Sequence, residues 1–92
     1  MDEKTLIREI EEHRDEYIEF LKRMIQVDTY NPPGNEKNLV PLIKEYLEEE
    51  NIDCEVFPLQ ENRANLLATL NKNAKGSTLL LNGHMDVVPP GN

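Results

Sequence analysis

The first third of the chain places apolar side chains at three- and four-residue steps, with acidic side chains between them. Lys22 and Arg23 fall near the end of this pattern, where positive charge suits the dipole of a helix. The spacing predicts one long amphipathic helix over residues 3–27. Its apolar stripe consists of Leu6, Ile10, Tyr17, Phe20, Leu21, Met24 and Ile25.

A Pro-Pro-Gly segment at residues 31–35 ends this helical pattern. Each proline disfavours helical geometry in the residue before it, and Gly34 tolerates a positive φ. The segment therefore predicts an ordered turn and not a linker between domains. It is interpreted as a plain connector, which needs no ligand, or as a loop near the mouth of a substrate site.

A second helix is predicted over residues 36–50, because apolar residues again follow helical spacing. Pro41 suits the first turn of the regular part, which favours Asn38 over Asn35 as the N-cap and leaves Glu36 in a looser turn. Asn51 can adopt the left-handed conformation that ends a helix. The stripe consists of Leu39, Leu42, Ile43, Tyr46 and Leu47.

Three strands are predicted after the helices, over residues 52–58, 63–70 and 77–83. Apolar and acidic residues alternate in the first, which indicates one solvent-facing side. The continuous apolar run of the third indicates a strand that is buried on both faces. The fold class is therefore α/β, with two helices followed by three strands of a mixed sheet in a single domain or part of one.

Composition excludes several classes of protein. With 18 acidic against 10 basic residues and a net charge of -8, nucleic acid is not an expected partner. The N-terminus does not resemble a secretory signal, and no apolar run approaches the ~20 residues of a membrane span. The single cysteine, Cys54, favours the cytoplasm and is expected to be a small apolar strand residue, because no basic residue beside it would activate the thiol.

The most informative chemistry follows the third predicted strand. His84 and Asp86 are two residues apart, so on an extended backbone they share a face at roughly 6 to 7 Å. Asp86 can then accept a hydrogen bond from one ring nitrogen of His84 while the other nitrogen binds a metal. His13 lacks a partner at the i+4 position and is expected to be a partly buried surface residue, not a ligand.

The segment from Gly83 to Asn92 closely resembles the first metal-binding motif of a family of dinuclear zinc amidohydrolases. The family includes acetylornithine deacetylase, succinyl-diaminopimelate desuccinylase, aminoacylase and the carboxypeptidase G group. Residues 25–36 resemble the loop between the first two helices of those enzymes, and residues 63–68 resemble the strand before the metal strand.

The resemblance implies that His84 is a zinc ligand and that Asp86 has a catalytic role, orienting the histidine and tuning the site. It also implies two zinc or cobalt ions in a complete site, and an N-acetyl or N-succinyl amino acid or a dipeptide as substrate. The fold implied is a zinc-exopeptidase-like catalytic domain with a mixed sheet.

The number of candidate ligands limits what 92 residues can do. A catalytic zinc takes three protein ligands and a water, and His84 with Asp86 cannot close such a site. The chain is therefore expected to be an N-terminal fragment of the metal-binding catalytic domain, inactive alone, with the metals not fully bound. The resemblance places the other ligands and the general base beyond residue 92.

With 38% hydrophobic residues, the fragment is also expected to self-associate, as a homodimer or otherwise, or to be partly molten. The main alternative function is a non-catalytic acidic α/β module that binds a partner through its helices and leaves His84 and Asp86 idle. Another class of metallohydrolase is disfavoured, because the additional histidine usual in such sites is missing nearby.

Overall fold

A computed structural model describes residues 1–91, so Asn92, the last residue of the metal-motif resemblance, lies outside the described residues. The α/β class is confirmed. The elements are helices α1 (Glu3–Glu12), α2 (Arg14–Ile25) and α3 (Val40–Glu49), a 3₁₀ turn at Glu36–Asn38, and strands β1 (Asp53–Gln60) and β2 (Arg63–Thr69). Among residues 1–91, no helix has the length and apolar content needed to cross a bilayer.

The predicted single helix over residues 3–27 is wrong at His13, where the structure separates α1 from α2. His13 has φ -105° and ψ 12°, outside ideal helical values. The carbonyl oxygen of Glu9 lies 2.9 Å from His13 Nδ1 and also accepts the His13 backbone N–H at 3.2 Å. A side chain that shares a backbone acceptor in this way competes with regular helical bonding. His13 is exposed, whereas the sequence predicted a partly buried surface residue.

Helix α2 is held to α3 by an aromatic pair. The rings of Phe20 and Tyr46 stack with centroids 3.9 Å apart and planes 19° from parallel. The Tyr46 hydroxyl donates to Glu16 Oε1 at 3.2 Å, which adds a polar contact between α2 and α3. Burial, followed by the nearby Glu16 carboxylate, raises the pKa of Tyr46.

The predicted helix over residues 36–50 is divided into the 3₁₀ turn and α3. Leu39 occupies the N-cap position without a side-chain bond, and Pro41 lies in the first turn as expected. Asn38 is not the cap but the last residue of the 3₁₀ turn, and its Nδ2 donates to the backbone oxygen of Asp28 at 3.4 Å, which ties the turn to the preceding loop. The left-handed conformation of Asn51 is confirmed by its φ of 61°.

Strands β1 and β2 form an antiparallel hairpin in which Val56 lies opposite Leu66. Half-buried and exposed residues alternate at the start of β1, which confirms the predicted solvent-facing side. Helix α3 packs on both strands. Cys54 is half-buried on the covered side, and burial raises the pKa of its thiol, which keeps it protonated and unreactive.

Residues 77–83 form no strand in the structure, contrary to the prediction, and the three-strand mixed sheet is not confirmed. Leu79, Leu80 and Leu81 are 82%, 74% and 85% exposed. A buried strand needs hydrogen-bonded neighbours and cover on both faces. Residues 1–91 supply neither for this run, so the sheet in this part of the chain is the two-stranded β1–β2 hairpin.

Candidate functional site

A backbone bridge brings the Pro-Pro-Gly loop to the predicted metal motif. Asn31 N–H donates to the Val87 carbonyl at 2.8 Å, and Val87 N–H donates to the Thr29 carbonyl at 3.2 Å. These two bonds make Tyr30 and Val87 a parallel bridge pair. The bridge fixes the backbone next to Asp86 against the loop, although the two segments are more than fifty residues apart in sequence.

Asp86 lies at the centre of the polar contacts. Asn31 Nδ2 donates to Asp86 Oδ2 at 2.9 Å, and Arg63 Nη2 lies 3.6 Å from the same oxygen. The other oxygen, Oδ1, lies 3.3 Å from His84 Nδ1. The hydrogen bond from Asn31 lowers the pKa of Asp86, with smaller contributions from His84 and Arg63, so this carboxylate is an anion at neutral pH.

Behind Asp86 lies an ion pair between Glu36 and Arg63. Arg63 Nη2 donates to Glu36 Oε1 at 2.6 Å, and Arg63 Nε lies 3.1 Å from both carboxylate oxygens. The Glu36 side chain is 7% exposed and that of Arg63 is 33% exposed. The hydrogen bonds from Arg63 lower the pKa of Glu36 despite its burial, so the pair is ionised.

Gly34 allows the loop to pack against this ion pair. Its φ is +114°, a conformation that side chains rarely tolerate, and its N–H donates to the Tyr30 carbonyl at 2.7 Å. A Cβ atom at this position would lie 2.8 Å from Arg63 Nε and 3.1 Å from Glu36 Oε2. The sequence prediction of an ordered turn is confirmed, and the turn is in direct contact with the site.

His84 presents one ring nitrogen to solvent. Its Nδ1 lies 2.8 Å from the backbone oxygen of Asp86 and 3.3 Å from Asp86 Oδ1. Since both neighbours are acceptors, we assign the proton to Nδ1, which leaves the lone pair on Nε2. The side chain is 82% exposed, and it borders an open groove of about 1270 Å³ between β2 and residues 76–86.

The geometry suits His84 for one corner of a metal site but does not complete one. An imidazole that donates from one nitrogen to a carboxylate or carbonyl and keeps the other free is the usual arrangement of a histidine ligand. Within the described part of the chain, however, no group of three imidazole, thiol or carboxylate side chains converges on one point. The arrangement is therefore compatible with one ligand, His84, and with groups that support it.

The contact between the two site residues named from the sequence is present, while their roles stay a prediction. Sequence reasoning did not connect Asn31, Glu36 or Arg63 with the site. Hydrophobic periodicity could not find these three residues, because their importance comes from contacts across the chain. The only signal was that all three lie in segments that carry the family resemblance.

No family model matches the chain, and no solved structure matches it significantly. Curated proteins do match. A protein of Pyrococcus furiosus named as a LysW-lysine/LysW-ornithine hydrolase is 40% identical over 76 residues, which cover 82% of this chain and 21% of that protein. A protein of the same name from Pyrococcus abyssi is 34% identical over 76 residues, covering 83% of this chain and 20% of its own length.

A Staphylococcus aureus protein named as a succinyl-diaminopimelate desuccinylase is 35% identical over 78 residues, covering 84% of this chain and 18% of that protein. The chain thus spans about a fifth of the length of the curated relatives it matches. All three names are those of hydrolases. The resemblance recognised from the sequence is confirmed: over about four fifths of its length the chain is similar to curated proteins named as succinyl-diaminopimelate desuccinylase and LysW-lysine/LysW-ornithine hydrolase.

Proposed function

We propose that this chain contributes a metal-ligand corner to a hydrolase of amide bonds in N-acyl amino acids, of the deacetylase or desuccinylase type, with small peptides as the second substrate class. The observation that carries the proposal is the His84–Asp86 pair beside the groove. The His84 ring offers Nε2 to solvent, and its Nδ1 is engaged by two oxygens of Asp86. The names of the relatives support the substrate class by analogy.

In this proposal His84 holds one of two zinc or cobalt ions, and the other ligands come from protein that this chain does not span. A bound ion of this kind lowers the pKa of a water molecule and polarises the acyl carbonyl. Asp86 keeps the proton on His84 Nδ1 and makes Nε2 a better donor to the metal.

The test is hydrolysis of a panel of N-acetyl and N-succinyl amino acids and dipeptides by the complete product of the gene that encodes this chain. Activity should require added Zn²⁺ or Co²⁺ and should be lost in His84→Ala. His13→Ala is the matched control, because His13 is the other histidine and contacts only its own helical neighbours among the described residues.

Asp86→Ala should lower metal affinity or turnover about 10- to 100-fold, the range typical of residues that orient a metal ligand. Equal rates in His84→Ala and wild type, or no hydrolysis with any metal, would refute the proposal. The second result would favour the alternative of a non-catalytic module, for which the exposed apolar residues of α1 and α2 are available.

A further inference from the structure

The two carboxylate oxygens of Asp86 have different partners. Oδ2 accepts from Asn31 Nδ2 at 2.9 Å and lies 3.6 Å from Arg63 Nη2. Oδ1 faces His84 Nδ1 at 3.3 Å, beside the Asp86 backbone oxygen, which lies 2.8 Å from the same nitrogen. A carboxylate that accepts a hydrogen bond at one oxygen and has a guanidinium beside the same oxygen is restrained in rotation, so the direction of its other oxygen is restrained as well.

The Arg63 guanidinium, which lies beside Asp86, is itself oriented by Glu36. Its Nε and Nη2 both donate to Glu36, whose side chain is buried, and this forked contact leaves the guanidinium little freedom to turn. Gly34 permits the close approach, since the space for a Cβ there is taken by the ion pair. The direction of the guanidinium toward Asp86 is therefore set by a buried charge.

From this arrangement we infer that Asn31, Arg63 and Glu36 form a positioning unit for the His84 ring. Glu36 orients Arg63, Arg63 and Asn31 together orient the Asp86 carboxylate, and its Oδ1 acts with the Asp86 backbone oxygen to keep the proton on His84 Nδ1. None of the three contacts His84 itself, so they are positioning residues and not catalytic ones. The inference rests on the proposed function for the identity of the ligand at Nε2, but proton placement is measurable without metal.

The first experiment replaces Asn31, which is exposed and whose loss should leave the fold intact. The ¹⁵N chemical shifts of the two His84 ring nitrogens are recorded in the metal-free complete gene product, with every variant measured at the same alkaline pH. In wild type Nδ1 should carry the proton. In Asn31→Ala the pattern should move toward the Nε2-protonated form that a free imidazole prefers.

Asn38→Ala is the matched control, since its amide lies in the same region but donates to the backbone oxygen of Asp28. It should leave the His84 shifts unchanged. Arg63→Lys keeps the positive charge but loses the two-nitrogen contact with Glu36, and it should change the His84 ring shifts in the same direction as Asn31→Ala does. Zn²⁺ affinity should fall about 10-fold in Asn31→Ala, the lower end of the range for such supporting residues.

The outcomes separate this inference from the proposed function. Ring shifts that stay at wild-type values in both Asn31→Ala and Arg63→Lys would overturn the positioning unit, even in an enzyme that hydrolyses its substrate. Ring shifts that respond in a protein that neither binds Zn²⁺ nor hydrolyses any substrate would support the positioning unit and defeat the proposed function. An equal response in Asn38→Ala would also overturn it, because a general loosening of the loop would then explain the change.

Discussion

Replacing Gly34 with Ala should weaken the fold and the site together. An alanine held at φ +114° pays about 1–3 kcal/mol in backbone strain. Its Cβ would also lie 2.8 Å from Arg63 Nε, so the guanidinium must shift and leave the buried Glu36 carboxylate poorly paired, at about 1–3 kcal/mol. Small shifts of the loop relieve part of the backbone strain and part of the lost pairing, so the expected loss in the free energy of unfolding is about 2–4 kcal/mol.

The assay is urea unfolding followed by circular dichroism, with sedimentation at the same concentration to confirm one oligomeric state. Gly76→Ala is the matched control, because no atom lies within 4 Å of a Cβ at that position and its φ is outside the positive region. It should change stability by no more than about 1 kcal/mol. Equal losses in Gly34→Ala and Gly76→Ala would refute the reasoning from close packing.

Three further results are expected. Arg63 lowers the pKa of Glu36, so the pair stabilises the fold above the unfolded pKa of about 4.3, and this contribution is lost as the pH falls through the lower folded pKa. Glu36→Gln should lower the free energy of unfolding by about 1–3 kcal/mol at pH 7 and should weaken its dependence on pH in the acid range. An unchanged pH dependence of stability in this variant would contradict the expectation. Asn51→Ala should be less stable in urea than Asn51→Gly by about 1 kcal/mol, because φ is 61° there, and equal midpoints would argue against a left-handed helix end. Phe20→Ala should lower the free energy of unfolding, measured by thermal denaturation, by about 2 kcal/mol, because the stacking on Tyr46 is lost. Tyr46→Phe keeps the ring and removes only the hydroxyl bond to Glu16, so it should cost less than about 1 kcal/mol. A larger loss in Tyr46→Phe than in Phe20→Ala would rule out the stack as the link between α2 and α3.

The sequence alone was sufficient for features that depend on neighbours a few residues away. Helical spacing located α2 and α3, Asn51 marked the end of α3, and alternation located the covered side of β1. These predictions succeeded because side-chain periodicity and left-handed turns are properties of the local backbone. The same holds for the two residues His84 and Asp86, which two-residue spacing brought together.

Tertiary structure decided whatever depended on a distant partner. An apolar run at residues 77–83 has the pattern of a buried strand, yet it forms no ladder here, because hydrogen-bonded neighbours come from elsewhere in a fold and cannot be read from the run itself. Likewise, nothing in the local sequence of Asn31, Glu36 or Arg63 indicates Asp86. Only the bridge between Tyr30 and Val87 and the buried pairing of Glu36 with Arg63 bring polar side chains from two other segments to one carboxylate.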